Sequence, residues 1–176
     1  MQHAAFADLD LSSCLYWSFD PSFEDLLGPN PTIFQVGPNT STYTYTETPA
    51  YLPDSNELVF SSVEAEWSPD IGTSAPNNIS RLSLTTGKLV TIPVSPPPGN
   101  LGGASYYKKD GKGLVIVAGL GDATDAKNPP AIYLLDPVIG NWTVLVNNWF
   151  GQRFGGFDDV IAMKDGYGVL IACGSN

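Results

Sequence analysis

The sequence predicts an all-β protein built from repeated four-stranded antiparallel units, and three observations predict it. Composition is the first. Only 15% of the 176 residues are charged, aromatics reach 11%, and there are 18 Gly and 15 Pro, where a typical soluble domain is roughly 25% charged. The second is the lack of helical periodicity: a short candidate at residues 21–27, closed by Gly28, is the one place where a helical turn is expected. The third is a beat of short apolar runs and turn signals that returns every 55 residues or so.

The opening of the chain gives weak signals. Cys14 to Phe19 reads as a strand, the helical turn follows, and Pro29 and Pro31 break the chain before a second strand at residues 32–36. From there the repeat is clear. Residues 50–52, a Pro53–Glu57 turn and residues 58–62 form one hairpin. Residues 103–107, a Lys108–Gly111 turn and residues 113–118 form another, and residues 159–163, Lys164-Asp165-Gly166 and residues 168–172 a third. The matching positions Leu58, Leu114 and Val169 lie 56 and 55 residues apart. The first two hairpins each lead into a further strand pair: 78–84 with 88–94 around Thr85-Thr86-Gly87, and 131–135 with 141–146 around Asp136 to Gly140. Pro fixes φ and Gly tolerates positive φ, which suits both turns.

Four antiparallel strands at a period of 50–55 residues is the pattern of a β-propeller blade. An ordinary sandwich with strands every 8–12 residues does not account for the regular beat. The domain reading is therefore a poorly defined segment at 1–30, then a partial propeller over 31–176. Its first blade covers about 46–95, its second about 100–148, and half of a third about 155–174. Open blade edges predict self-association.

The net charge of −10 is spread along the chain and would repel phosphate backbones, which argues against nucleic acid. No apolar run approaches the roughly 20 residues that span a bilayer as a helix. The first residues lack a signal-peptide pattern, although sequons at Asn39, Asn78 and Asn141 hint at a secreted ancestor. Cys14 and Cys173 are expected to be unpaired. His3 is the sole histidine, which argues against a Ser-His-Asp site. Gly119-Leu-Gly-Asp122 leads into no helix and is a poor phosphate cradle. Trp17, Trp67, Trp142 and Trp149 are expected to pack within blades.

Residues just before each innermost strand should converge at the central channel. They are Thr46 to Pro49, Asn100 to Gly103, and Phe157 to Asp159, which places Glu47 and Asp158 among oxygen donors of the kind Ca²⁺ requires. The bland alternative is that both are solvated loop acids.

These stretches also carry a resemblance. Glu47-Thr-Pro-Ala-Tyr51 with Asn56-Glu-Leu-Val-Phe-Ser-Ser62 resembles the opening motif of the gluconolactonase/regucalcin family, in particular its fungal-type lactonase-like members. Residues 146–160, ending Phe157-Asp-Asp-Val160, resemble its central motif, and Asn100-Leu-Gly-Gly103 stands where the family has an Ala-Asn-Gly-Gly-like element. The resemblance runs from about residue 29 to 174. It implies a six-bladed propeller, a divalent metal (Ca²⁺ foremost) and hydrolysis of a small lactone. By position it implies Glu47 and Asp158 as metal ligands, Asp159 as a supporting or structural acid, and Leu101, Gly102 and Gly103 as the substrate-binding stretch.

The departures bear on activity. Leu101 replaces an Asn that contacts substrate, Gly155 and Gly156 replace a polar pair, and Ala172-Cys173 replace a Thr-Asp. The family's further metal-binding Asp, also its expected base, would lie beyond Asn176. A weakly active or inactive chain is therefore expected, and a non-catalytic propeller fragment serving binding or self-assembly is the alternative.

Overall fold

A computed structural model describes residues 44–64, 78–95, 99–121, 129–163 and 169–173, together with Ser22 and Asp25. The chain divides into two compact units, Met1–Gly37 and Pro38–Asn176. In the first, Ser22 and Asp25 are helical, within the stretch expected to form a helical turn. The strands expected at 14–19 and 32–36, His3, Cys14, Trp17, Trp67, the Asn39 sequon and the turn at 164–166 lie outside the described residues.

The second unit is all-β. Strands β1 (Thr44–Leu52), β2 (Glu57–Glu64), β3 (Asn78–Ser83) and β4 (Leu89–Ile92) form one four-stranded antiparallel sheet in sequential order. Strands β5 (Leu101–Lys109), β6 (Lys112–Gly119), β7 (Ala131–Leu135) and β8 (Trp142–Val146) form a second sheet of the same order. A small hairpin, β9 (Asn148–Trp149) with β10 (Gln152–Arg153), precedes a two-stranded sheet of β11 (Phe157–Ala162) and β12 (Val169–Cys173).

Turn chemistry sets the pairing. Asp110 and Gly111 both have positive φ, 52° and 79°, the geometry of a two-residue turn that matches strand twist, and Lys109 faces Lys112 across it. The β3–β4 and β7–β8 turns are built alike, 53 residues apart. The Gly87 amide donates to the Ser83 carbonyl (2.8 Å), as the Gly140 amide does to the Asp136 carbonyl (2.9 Å), and both glycines have positive φ. Ser83 Oγ accepts from the Thr86 amide (3.2 Å), and Asp136 Oδ1 accepts from the Val138 and Ile139 amides (3.0 and 3.4 Å).

The core lies in two layers on either side of the second sheet. Val115, Val117 and Leu135 face the first sheet, meeting Ala50, Leu52, Val59, Ile79 and Ile92. Their alternates Ile116, Ala118 and Ile132 face the other way and meet Phe157 and Val160 of β11. Strand β6 is covered on both faces, which is why Leu114-Val-Ile-Val-Ala118 is a continuous apolar run rather than an alternating one. Trp142 joins the first layer, stacked on Tyr133 at 4.4 Å, as expected of a packing tryptophan. Trp149 does not pack within a sheet: at 66% exposure it stands on the β9–β10 hairpin, whose turn residue Phe150 is held at φ 48° and is 88% exposed.

Charged groups tie the elements at the opposite, hairpin end of these strands. Asp54, in the β1–β2 turn, accepts from Tyr106 Oη and Lys108 Nζ of β5, both at 2.8 Å, and the Lys108 bond above all lowers its pKa. In the second sheet Lys112 pairs with the nearly buried Asp136. Burial pushes the Asp136 carboxyl up, but Lys112 and the two amides together outweigh it and hold it below its ordinary value of 3.8. A lowered folded pKa means that stability is present above the ordinary carboxylate value and is lost as pH falls through the folded value. Asp136→Asn keeps the acceptor for the amides and removes the charge. Its stability is expected to fall less than wild type's on acidification below about pH 4, checked by urea unfolding at pH 6 and pH 3.

Candidate functional site

The three stretches expected to converge are neighbours, but apart from Asn100 they lie inside β1, β5 and β11 rather than before them. Each of these strands carries a register shift there: between Glu47 and Ala50 in β1, between Leu101 and Ala104 in β5, and between Phe157 and Asp159 in β11. An extra residue in a strand bends it and re-aims its side chains, and such bulges recur beside functional sites. Pro49 is tolerated in β1 because it sits within the bulge, where no ladder bond needs its missing N–H. Strand β5 packs between β1 and β11, so the three bulges lie side by side.

Thr48 occupies the first bulge. It is fully buried (0% exposed) and has φ 65°, a left-handed conformation that is costly for a β-branched residue, about 1–3 kcal/mol. Its hydroxyl donates to the Gly102 carbonyl on β5 (2.9 Å). Since that uses its single proton, the 2.9 Å contact with Ser61 Oγ of β2 has Ser61 donating and Thr48 accepting. Ser61 is itself fully buried and faces Glu47 across the β1–β2 ladder.

Gly102 continues the line. A Cβ there would overlap the Asp158 carbonyl and lie 3.1 Å from the Phe157 carbonyl, so only glycine permits this approach of β5 to β11. At Gly103 a Cβ would overlap the Asp159 carboxylate. Asp159 Oδ1 accepts from the Val160 amide (2.7 Å), a local bond that fixes the strand on leaving the bulge. The Ala162 amide donates to Ser105 Oγ (3.0 Å), a second tie between β5 and β11.

Glu47, Asp158 and Asp159 are exposed, on the first and third of the adjacent bulges. Glu47 and Asp158 are hard oxygen donors suited to Ca²⁺, whereas Asp159 already accepts from backbone. Among the described residues no three of His, Cys, Asp and Glu come together to hold a metal ion. Leu101 is a core residue, packed between the first two sheets, while Gly102 and Gly103 shape the bulge. Sequence reasoning does not reach the Thr48–Ser61 pair, for Pro49 within an apolar pattern is the one available sign of a bulge.

Comparison with known proteins finds two similar curated sequences. The chain is 28% identical over 159 residues, 88% of its length, to lactonohydrolase oryL of Aspergillus oryzae. It is 29% identical over 153 residues, 85% of its length, to lactonohydrolase oryH of the same species. It is thus related at low identity to lactonohydrolases. It spans about a third of their length, 33% and 30% respectively. No family model and no solved structure matches.

Proposed function

We propose that this chain forms part of a lactone hydrolase of the gluconolactonase/regucalcin type, with its sheets as successive blades of a six-bladed β-propeller. In this reading β1–β4 are the first blade, β5–β8 the second, and β11–β12 the inner half of a third. Inner strands β1, β5 and β11 line the channel. The observation that carries it is the row of three bulges, which sets Glu47, Gly102-Gly103 and Asp158-Asp159 on neighbouring inner strands. The two lactonohydrolase relatives supply the chemical class.

Glu47 and Asp158 would hold a divalent cation, Ca²⁺ by their donor type, with further oxygens from water and from other blades. Bound there, such an ion supplies Lewis-acid polarisation of an ester carbonyl. The chain's own part is to orient the two carboxylates, with Gly102 and Gly103 letting β5 come close enough to β11 to set their spacing.

The test is thermal unfolding of the 176-residue chain with and without millimolar Ca²⁺. A ligand that binds only the folded state raises the melting temperature, so wild type is expected to shift upward and Glu47→Gln to lose that shift. An unchanged shift in Glu47→Gln would sink the ligand assignment. Hydrolysis of a small lactone, followed by base titration, reports the activity itself.

A second reading, a non-catalytic assembly module, is favoured by the apolar outer edge of the second sheet, where Val138, Ile139, Val144 and Leu145 are exposed. Association through that edge predicts a dimer or larger species in sedimentation. A monomer that responds to Ca²⁺ discards this reading.

A further inference from the structure

We propose that Thr48 is the positioning residue of the site, fixing Glu47 and Asp158 relative to each other through a buried line of contacts across four strands. This rests on the functional reading above for what the carboxylates do, but its geometry stands apart from that reading. Ser61 on β2 donates to Thr48 Oγ1, and Thr48 donates to the Gly102 carbonyl on β5. Gly102, lacking Cβ, lies directly against the Asp158 and Phe157 carbonyls of β11. Glu47 directly precedes Thr48 in β1, and Asp158 is where the line ends on β11.

Two features argue that the hydroxyl is the reason for a threonine here. A residue at φ 65° is ordinarily glycine, which adopts that conformation without strain. Threonine accepts the strain and makes a side-chain bond that joins the first bulge to the second. Strain held in place by its surroundings at such a point is a mark of function rather than of folding economy. Hydrophobic packing does not substitute for it, because the Gly102 carbonyl would then lose its partner in a dry site.

The variants separate hydroxyl, shape and strain. Thr48→Ser keeps the hydroxyl, Thr48→Val keeps the branched shape and the strain, and Thr48→Gly removes both strain and hydroxyl. Backbone amide spectra of the 176-residue chain are the primary readout. Thr48→Val and Thr48→Gly are expected to move the signals of Glu47, Gly102, Gly103 and Asp158, two strands away, while Thr48→Ser leaves Asp158 in place. Signals of Leu135 and Trp142, which pair with each other toward the other end of the second sheet, serve as the reference for an intact fold.

Ca²⁺ titration is the second readout. At least a tenfold weakening is expected in Thr48→Val, with Thr48→Ser within about threefold of wild type, a tenfold change being about 1.4 kcal/mol. If wild type shows no response to Ca²⁺, the metal reading falls and the spectra alone still decide the positioning role. Perturbation confined to residues 47–49 and Ser61, with Gly102 and Asp158 unmoved in both Thr48→Val and Thr48→Gly, would overturn the proposal. Should Thr48→Val not fold, Thr48→Gly, which relaxes the backbone, decides it through the same signals.

Discussion

Phe157→Ala is expected to cost about 3–5 kcal/mol, the range for emptying a large aromatic site in a core. Phe157 is the largest fully buried side chain among the described residues and is 1% exposed. Its ring lies 4.6 Å from that of Phe154 and packs in the layer formed by Ile116, Ala118, Ile132 and Val160. That layer joins the second sheet to β11, so the lost ring weakens the contact between them. With typical domain stability of about 5–15 kcal/mol, the variant would retain a small margin. Urea unfolding checks it: the midpoint should fall sharply at an unchanged slope. A loss under about 1 kcal/mol would mean that the β11 layer contributes little to the cooperative unit.

This layer shows what a sequence can convey about such a fold. The continuous run Leu114 to Ala118 between a turn and a Gly-rich segment reads as a strand, and the structure shows that strand covered on both faces. Repeated turns around Gly87 and Gly140 give the 53-residue offset of the outer strand pairs from residue types alone. These features are legible because each is local: a tight turn at positive φ favours Gly, and strand pairing follows from short apolar runs on either side of it.

Bulges are not local in that sense. One extra residue shifts the alternation by a single step, and in Glu47-Thr-Pro-Ala50 the proline makes the strand look as if it begins at Ala50. The same displacement starts β5 at Gly103 by sequence and at Leu101 in the structure. Sequence reasoning thus puts the candidate acids in loops at the mouths of strands, when they belong to the strands themselves. Phe150 illustrates another limit. Two-residue hairpin turns are signalled by Asn-Gly or Asp-Gly, so Phe150-Gly151 gives no reason to expect the β9–β10 hairpin or an exposed Trp149. The hydroxyl relay from Ser61 to Gly102 is harder still, since it joins residues 54 apart or brought together only by pairing.

Gly102→Ala brings the fold and the site into one experiment. A methyl group there overlaps the Asp158 carbonyl, a backbone atom that cannot rotate aside, so β5 and β11 must separate. Overpacking of this kind costs about 3 kcal/mol, at the upper end of its usual range. Gly87→Ala is the control for backbone conformation alone: its φ is +70° and nothing lies within 4 Å, so the expected cost is about 1 kcal/mol. Gly103→Ala falls between them, because it meets the Asp159 carboxylate, which can swing away at the loss of its bond to the Val160 amide. The order of the three in urea unfolding, Gly102 worst and Gly87 mildest, tests whether the bulges touch as described. Ion response then separates packing from function. If Glu47 and Asp158 act as one site across β5, Gly102→Ala must also lose the Ca²⁺ shift in melting temperature, whereas Gly87→Ala must keep it despite its own lower stability. A Gly102→Ala protein that melts early yet still responds fully to Ca²⁺ would place the ion elsewhere and leave this contact a structural one.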